Sequence, residues 1–304
     1  MDEPGSAAEK IALLGRKRLE KFATLIPRVV VSDDSDAIHD ARVGSRRTQQ
    51  ILDMLARQSG KKAKPRKLMR ALRNVREILG RPRNLDVMLD LVEEKITGAN
   101  NPVVRDAWDQ VRTHLKERRA RALDRARDQL RGLDIVEFAA RCRAIIDRAD
   151  GGEATTHNLR QRIATALTDW RAAIATAQAD PKAEELHALR IAGKRLRYRL
   201  ELLAELDDAA AKAQVKLLRT LQDQLGTWHD RQVLLDTCAK FLRRQDFLST
   251  HPGLARALLL EMERERRRAN ASVEGLIKHA EKAAQAFGES ELPSGGDELA
   301  RAGA

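Results

Sequence analysis

Four residues in one helical register, His39, Arg42, Arg46 and Arg47, could together hold an anion. The same types return as His187, Arg190, Lys194 and Arg195, at a constant offset of 148 residues. Arginine offers a fork of N–H donors that fits two phosphate oxygens at once, and lysine offers a mobile point charge. Histidine adds a donor that strengthens when a bound polyanion raises its pKa. A second basic set follows each of these. Arg66, Arg70 and Arg73 correspond to Lys212, Lys216 and Arg219, now at an offset of 146 residues. Beyond the Leu79-Gly80 and Leu225-Gly226 pairs stand Arg83 and His229, and Arg197 and Tyr198 border the second histidine-led set.

A helix must position these residues. With each residue advancing about 100°, and His39 taken as zero, Arg42, Arg46 and Arg47 fall at about 300°, 340° and 80°. Ile38, Ala41, Thr48, Ile51, Leu52 and Leu55 lie on the opposite side, so one pattern specifies both a core face and a cation face. Leu186, Leu189, Leu196, Leu200 and Leu203 do the same in the second copy. Solvated helices usually alternate charge sign, yet Asp36 to Arg83 holds 14 Lys or Arg against four Asp or Glu. Crowded like charges on a helix repel by a few tenths of a kcal/mol per close pair. A bound polyanion would relieve that repulsion. A charge run is more often a solvated face, but the recurrence of cations at matching positions favours the functional reading.

The repeat implies two copies of one helical unit. Ala, Leu, Arg and Glu dominate and apolar residues recur at three and four, so the expected class is all-α. The first half is expected to run as helices from Ala7 to Ile26, Asp36 to Gln58, Pro65 to Leu79, Asn84 to Thr97, and Pro102 to Asp147 with a break near Gly132. The second half should repeat this from Thr155 to Gln178, Pro181 to Leu206, Asp208 to Leu225, Asp230 to Arg244, and His251 to Phe287. Pro27 is expected to end the first helix, the Ser32–Ser35 cluster to cap the second, and Asn101-Pro102 to open the fifth. The domain expectation is one bundle over 1–150, a second over 151–288, and a disordered tail over 289–304.

Composition narrows the partners. The 304 residues carry a formal charge of +12, which favours a polyanionic partner. Two cysteines without paired spacing, Cys142 and Cys238, support neither a disulfide framework nor a zinc site. The acidic N-terminus lacks a secretion signal and no apolar run would span a bilayer, so a cytoplasmic location without membrane contact is expected.

The His-x-x-Arg-[Val/Ile]-x-x-[Arg/Lys]-Arg pattern at His39 and His187, followed in each half by Leu-Gly, resembles the CHAD family, the conserved histidine alpha-helical domain. The resemblance spans about residues 7 to 287. It implies two antiparallel four-helix-type bundles related by a pseudo-two-fold, with a basic channel that binds inorganic polyphosphate. Carried over, His39, Arg42, Arg46, Arg47, His187, Arg190, Lys194 and Arg195 would line that channel, with Arg83 and His229 as further candidates. Members occur alone or fused to CYTH triphosphate-tunnel domains, and some locate to polyphosphate granules, so both associations are implied here. The family commonly has Arg-Asp-x-Asp-Val after the first Leu-Gly. Here it reads Arg83-Asn84-Leu85-Asp86-Val87, which removes one carboxylate that could orient Arg83. The second half keeps Asp230 beside His229, where it could hold the imidazole, keep it protonated, or cap a helix.

Catalysis is not expected. No Glu-x-Glu-x-Lys motif, phosphate-binding glycine loop or activated nucleophile occurs, and Glu261 to Arg266 reads as a solvated, alternating-charge surface. No cofactor or metal is expected. Nucleic acid is the weaker partner, because single-strand binders use aromatic platforms. The chain has nine aromatic side chains in all, only Tyr198 borders the cations, and Trp108, Trp170 and Trp228 fit core positions. His114, His157, His251 and His279 have no repeat partner and receive no role. An acidic protein partner is the remaining alternative.

Overall fold

The computed structural model describes residues 7–55, 65–148 and 152–289. Among the described residues all regular structure is helical. The helices are α1 (Ala7–Val31), α2 (Ser35–Leu55), α3 (Pro65–Ile78), α4 (Gly80–Thr97), α5 (Pro102–Arg131), α6 (Ile135–Ile146), α7 (Gly152–Ala179), α8 (Ala183–Ala204), α9 (Ala209–Leu242), α10 (Gln245–Thr250) and α11 (Pro252–Glu289). The all-α expectation is met. The expected end of the second helix at Gln58, the boundary at Asp150-Gly151 and the tail beyond Glu289 lie outside the described residues.

Several boundaries follow from local chemistry. Asp34 Oδ1 accepts from the backbone N–H groups of Asp36 and Ala37, at 2.8 and 3.2 Å, and so caps α2. Asn101 accepts from Val103 N at 2.8 Å with Pro102 at the first helical position. Asp134 caps α6 after the break at Gly132.

Other boundaries are corrected. Pro27 does not end α1, which runs on to Val31. Pro27 sits on the exposed side, while Ile26 and Val29 are buried across it, and their burial carries the helix through. The Leu-Gly pairs are not loops. Between α3 and α4 only Leu79 interrupts, and the helical bonding pattern passes through it, Leu79 N to Val75 O at 3.0 Å and Arg83 N to Leu79 O at 3.3 Å. At Gly226 there is no interruption, and the expected helices Asp208–Leu225 and Asp230–Arg244 are one helix, α9. Leu225, Trp228 and Leu234 are buried on both sides of this glycine, which outweighs the roughly 1 kcal/mol cost of glycine in a helix. The last expected helix, His251 to Phe287, is α11, and the short α10 before it was not expected.

The chain forms two compact units, Met1–Gly151 with Asp230–Arg268, and Gly152–His229 with Ala269–Ala304. Residues 230–268 therefore group with the first unit, where the repeat had placed them in the second half. The divisions fall inside α9 and α11.

In the first unit α1 packs on α2 and α6, α2 on α3, and α4 along α5. Phe22 and Phe138 meet edge to face at 5.9 Å, joining α1 to α6. A second cluster joins α4, α5, the end of α9 and the start of α11 through Met88, Trp108, Leu115, Phe241 and Leu258. A buried ion-pair hub braces it. Glu265, 1% exposed, bonds Lys95 Nζ and Arg268 Nη1 at 2.6 Å each and faces Arg231 at 3.7 Å. This corrects the reading of Glu261–Arg266 as solvated surface, because helix periodicity turns Glu265 inward. In the second unit α7 packs along α8, and Trp170 meets Phe287 edge to face at 5.7 Å. Trp108, Trp170 and Trp228 are all buried, as expected.

Candidate functional site

The first unit carries the first cation set on α2, with Ile38, Ala41, Thr48, Ile51, Leu52 and Leu55 buried behind it. His39 and Arg47 are exposed; Arg42 and Arg46 are half-buried. Arg42 Nη1 donates to the Arg76 carbonyl, and Arg76 Nη2 donates to Gln49 Oε1, which locks α2 to α3. Gly80 makes room for this. A Cβ there would lie 3.1 Å from Arg42 Nη1, so a larger residue would make the guanidinium shift by a few tenths of an ångström.

Arg76 is the residue the sequence reading missed. Its pKa is pushed down to about 10, first by burial and then by Arg46, Arg42 and Arg73. The available signal was its position, three residues beyond Arg73 in the series Arg70, Arg73, Arg76. It was hidden because its repeat counterpart is Gln222. His39 belongs to the same field. Its pKa is lowered first by desolvation and then by Arg83; Asp40 opposes this, and Arg46 and Arg42 add to it. The fold thus collects His39, Arg42, Arg46, Arg73, Arg76 and Arg83 in one positive field. Arg47 and Arg70 stand exposed on the same helices and are not among the charges acting on that core.

The turn motif after Leu79-Gly80 divides its work. Asn84 is exposed. Asp86 is buried, 4% exposed, and its carboxylate accepts from Arg119 Nε. Burial raises the pKa of Asp86 against the opposing pull of Arg119 and Arg83. The carboxylate within Arg83's field is therefore Asp86.

The second unit repeats the exposure pattern. His187 and Arg195 are exposed, Arg190 and Lys194 half-buried, and Leu186, Leu189, Leu196, Leu200 and Leu203 buried behind them. From α9, His229 places its ring 5.1 Å from that of His187. Its pKa is pushed down to about 4, first by burial and then by Arg190, His187 and Lys194. Gln222 Nε2 donates to the Arg190 carbonyl at 3.4 Å, the place Arg42 and Arg76 occupy in the first unit. Gly193 gives the amide this position, since a Cβ there would lie 2.6 Å from Gln222 Nε2 and make it move.

One expectation is corrected. Asp230 neither caps a helix nor keeps His229 protonated; it lies inside α9 and is not among the charges acting on that ring. Arg197 is committed locally, bonded to Glu201 at 2.8 Å and stacked over Tyr198 at 4.9 Å. Lys216 and Arg219 are exposed on α9. Among the described residues, Arg47, Arg70, Arg73, Arg83, Arg195, Lys216 and Arg219 have no carboxylate within ion-pair distance.

Other chemistry is sparse. Among the described residues no group of three or more His, Cys, Asp or Glu is placed to hold a metal ion. Burial pushes the thiols of Cys142 and Cys238 up to about 12, which makes both poor nucleophiles. Among the described residues no helix is long and apolar enough to cross a membrane.

The histidine-led sets, the Leu-Gly pairs and the helices between them fall within residues 14–239, which match the model of the CHAD domain. This chain belongs to the CHAD domain family. The fold agrees. The crystal structure of the CHAD domain from the plant Ricinus communis superposes with a TM-score of 0.63 at 20% identity, covering 92% of this chain and 93% of that one. PptA from Streptomyces chartreusis superposes with a TM-score of 0.59 at 15% identity, covering 94% and 100%. At these identities the likeness carries the helical fold. No curated protein sequence matches this CHAD domain.

Proposed function

We propose that this CHAD domain binds inorganic polyphosphate, without turning it over, through two basic faces. One is built on α2, α3 and α4, the other on α8 and α9. The observation that carries the reading is the pairing of matched positions with matched exposure. His39, Arg42, Arg46 and Arg47 are exposed, half-buried, half-buried and exposed, and His187, Arg190, Lys194 and Arg195 repeat that order. The correspondence also supports reading the two units as copies of one bundle architecture.

Arg47, Arg70, Arg73 and Arg83 on one face, and Arg195, Lys216 and Arg219 on the other, have no carboxylate within ion-pair distance, and an arginine can present two donors to one phosphate. An extended phosphate chain supplies a negative charge at every unit and no base to be read. Binding would proceed by electrostatic capture with release of condensed counterions, and would weaken steeply with salt. Retention of the protein at polyphosphate granules, and work alongside a CYTH-type enzyme, follow as consequences of the same affinity.

A competition titration at near-physiological salt tests this reading. Labelled long-chain polyphosphate is displaced by unlabelled polyphosphate, single-stranded DNA or duplex RNA at equal phosphate concentration. Displacement by polyphosphate at concentrations orders of magnitude lower is expected. Equal competition by all three would make the protein a general polyanion binder, with nucleic acid as the leading partner.

A further inference from the structure

We infer that the second basic face is a proton-coupled anion site, in which the His229 imidazole takes up a proton as phosphate arrives, whereas the first face binds mainly with fixed guanidinium charge. The inference rests on phosphate binding by these faces and assigns them different chemistry. They share a plan but differ at two corresponding positions. Where the first has Arg76 and Arg83, the second has Gln222 and His229. One permanent cation is replaced by a neutral amide, the other by a titratable ring.

The surroundings of His229 are on the page. The α8 helix brings His187, with ring centroids 5.1 Å apart, together with Arg190 and Lys194. On α9 itself Asp230 and Arg231 adjoin it in sequence, and neither is among the charges acting on the ring. The α11 helix meets α9 about a turn earlier, where His279 Nδ1 lies 2.6 Å from Gln224 Oε1, and no carboxylate from α11 acts on His229 either. The ring is half-buried, and after burial the groups that lower its pKa are Arg190, His187 and Lys194.

Such an imidazole is neutral at pH 7. An anion bound against Arg190, Lys194 and His187 reverses the local field and favours the imidazolium. The complex then holds more protons than the free protein, so affinity rises as pH falls. Each proton taken up contributes about tenfold in affinity per pH unit between the bound and free pKa values. The gain starts as pH drops below the bound-state value and saturates near the free value of about 4. On the first face the only corresponding imidazole is His39, which lies at its exposed edge.

Isothermal titration calorimetry of the full chain with long-chain polyphosphate counts these protons. Titrations between about pH 5 and 7.5 are run in buffers of different ionisation enthalpy. The wild type should take up protons on binding. At about pH 5.5, His229→Gln should lose about one of them, and His39→Gln should lose far less. His229→Arg, which copies Arg83 of the first face, should lose the uptake while keeping tight binding at pH 7.5. Circular dichroism checks the helicity of each variant; should His229→Gln fail to fold, His229→Arg carries the test. Binding without proton uptake, or uptake as large in His229→Gln and His229→Arg as in the wild type, overturns the inference and leaves the phosphate reading standing. Absence of polyphosphate binding by the wild type at every pH overturns both.

Discussion

The cation face of α2 and α3 and the charged surfaces of α5 and α11 are made of the same residue types and wired in opposite ways. On α5, Arg112 pairs with Glu93 and Asp109, Arg119 with Asp86, Arg127 with Asp33, and Arg131 with Asp128. On α11, Arg264 pairs with Glu261, Arg266 and Arg267 with Glu263, and Arg268 with Glu265. On α2 to α4, by contrast, Arg47, Arg70, Arg73 and Arg83 have no carboxylate within ion-pair distance. The Arg76 pKa is pushed down to about 10, first by burial and then by Arg46, Arg42 and Arg73. Arginine content therefore does not locate a polyanion site. What locates it is positive charge left without a nearby carboxylate, because only there does an anion gain Coulomb energy without displacing an existing partner.

The sharpest way to break this comparison is charge reversal on both sides of it. The double variant Arg46→Glu with Lys194→Glu should weaken polyphosphate binding by about a hundredfold or more, with helicity retained by circular dichroism. The control, Arg131→Glu with Arg266→Glu on compensated surface, should change it by less than about threefold. Equal losses in the two would show that net charge alone matters.

Stability should respond in the opposite order. Glu265→Gln removes the anion from a buried hub and leaves Lys95 and Arg268 uncompensated, so it should cost about 3 kcal/mol in urea unfolding while leaving binding in place. Burial pushes the Glu265 carboxyl up, but Lys95 and Arg268 bring it below the usual glutamate range overall. A depressed folded pKa gives stability that is present above the unfolded value and lost as pH falls through the folded one. The hub should therefore weaken only in acid below the ordinary glutamate value of 4.5.

Salt offers a finer measure. Arg73→Ala should reduce the slope of log affinity against log salt by about 0.7 to 0.9, the loss of one phosphate contact. An unchanged slope would remove Arg73 from the face.

The smallest effect concerns the unliganded protein. The lowered pKa values of His39 and His229 mean that protonation favours the unfolded chain, so their contribution to stability is full above the unfolded histidine value near 6.5 and is lost as pH falls below it. The melting temperature should drop between about pH 7 and 5 by a few degrees, less so in His229→Gln. Polyphosphate should restore it, because binding reverses the sign of the field at the ring.

How much of this was legible in the chain depends on the range of the interaction. Asp34 and Asn101 announced their caps because a cap is a contact between residues two or three apart. The opposed core and cation faces of α2 and α8 were equally plain. The Leu-Gly pairs misled, since burial of Leu225, Trp228 and Leu234 on a common stripe outweighed the glycine between them. Glu265 misled for a related reason: periodicity places it on the core side of α11, but its partner Lys95 is 170 residues away in the chain.

Helical class, the placement of the cation sets and their recurrence are properties of local periodicity, so residue order alone was enough to establish them. Which arginines are neutralised was settled only on folding. Arg119 finds Asp86, Arg127 finds Asp33, and Arg76 is turned in among arginines, through contacts between helices far apart in the chain. Charge compensation falls off with distance in space and is indifferent to distance in sequence. The same residue type is therefore a strut on α5 and a candidate ligand on α2.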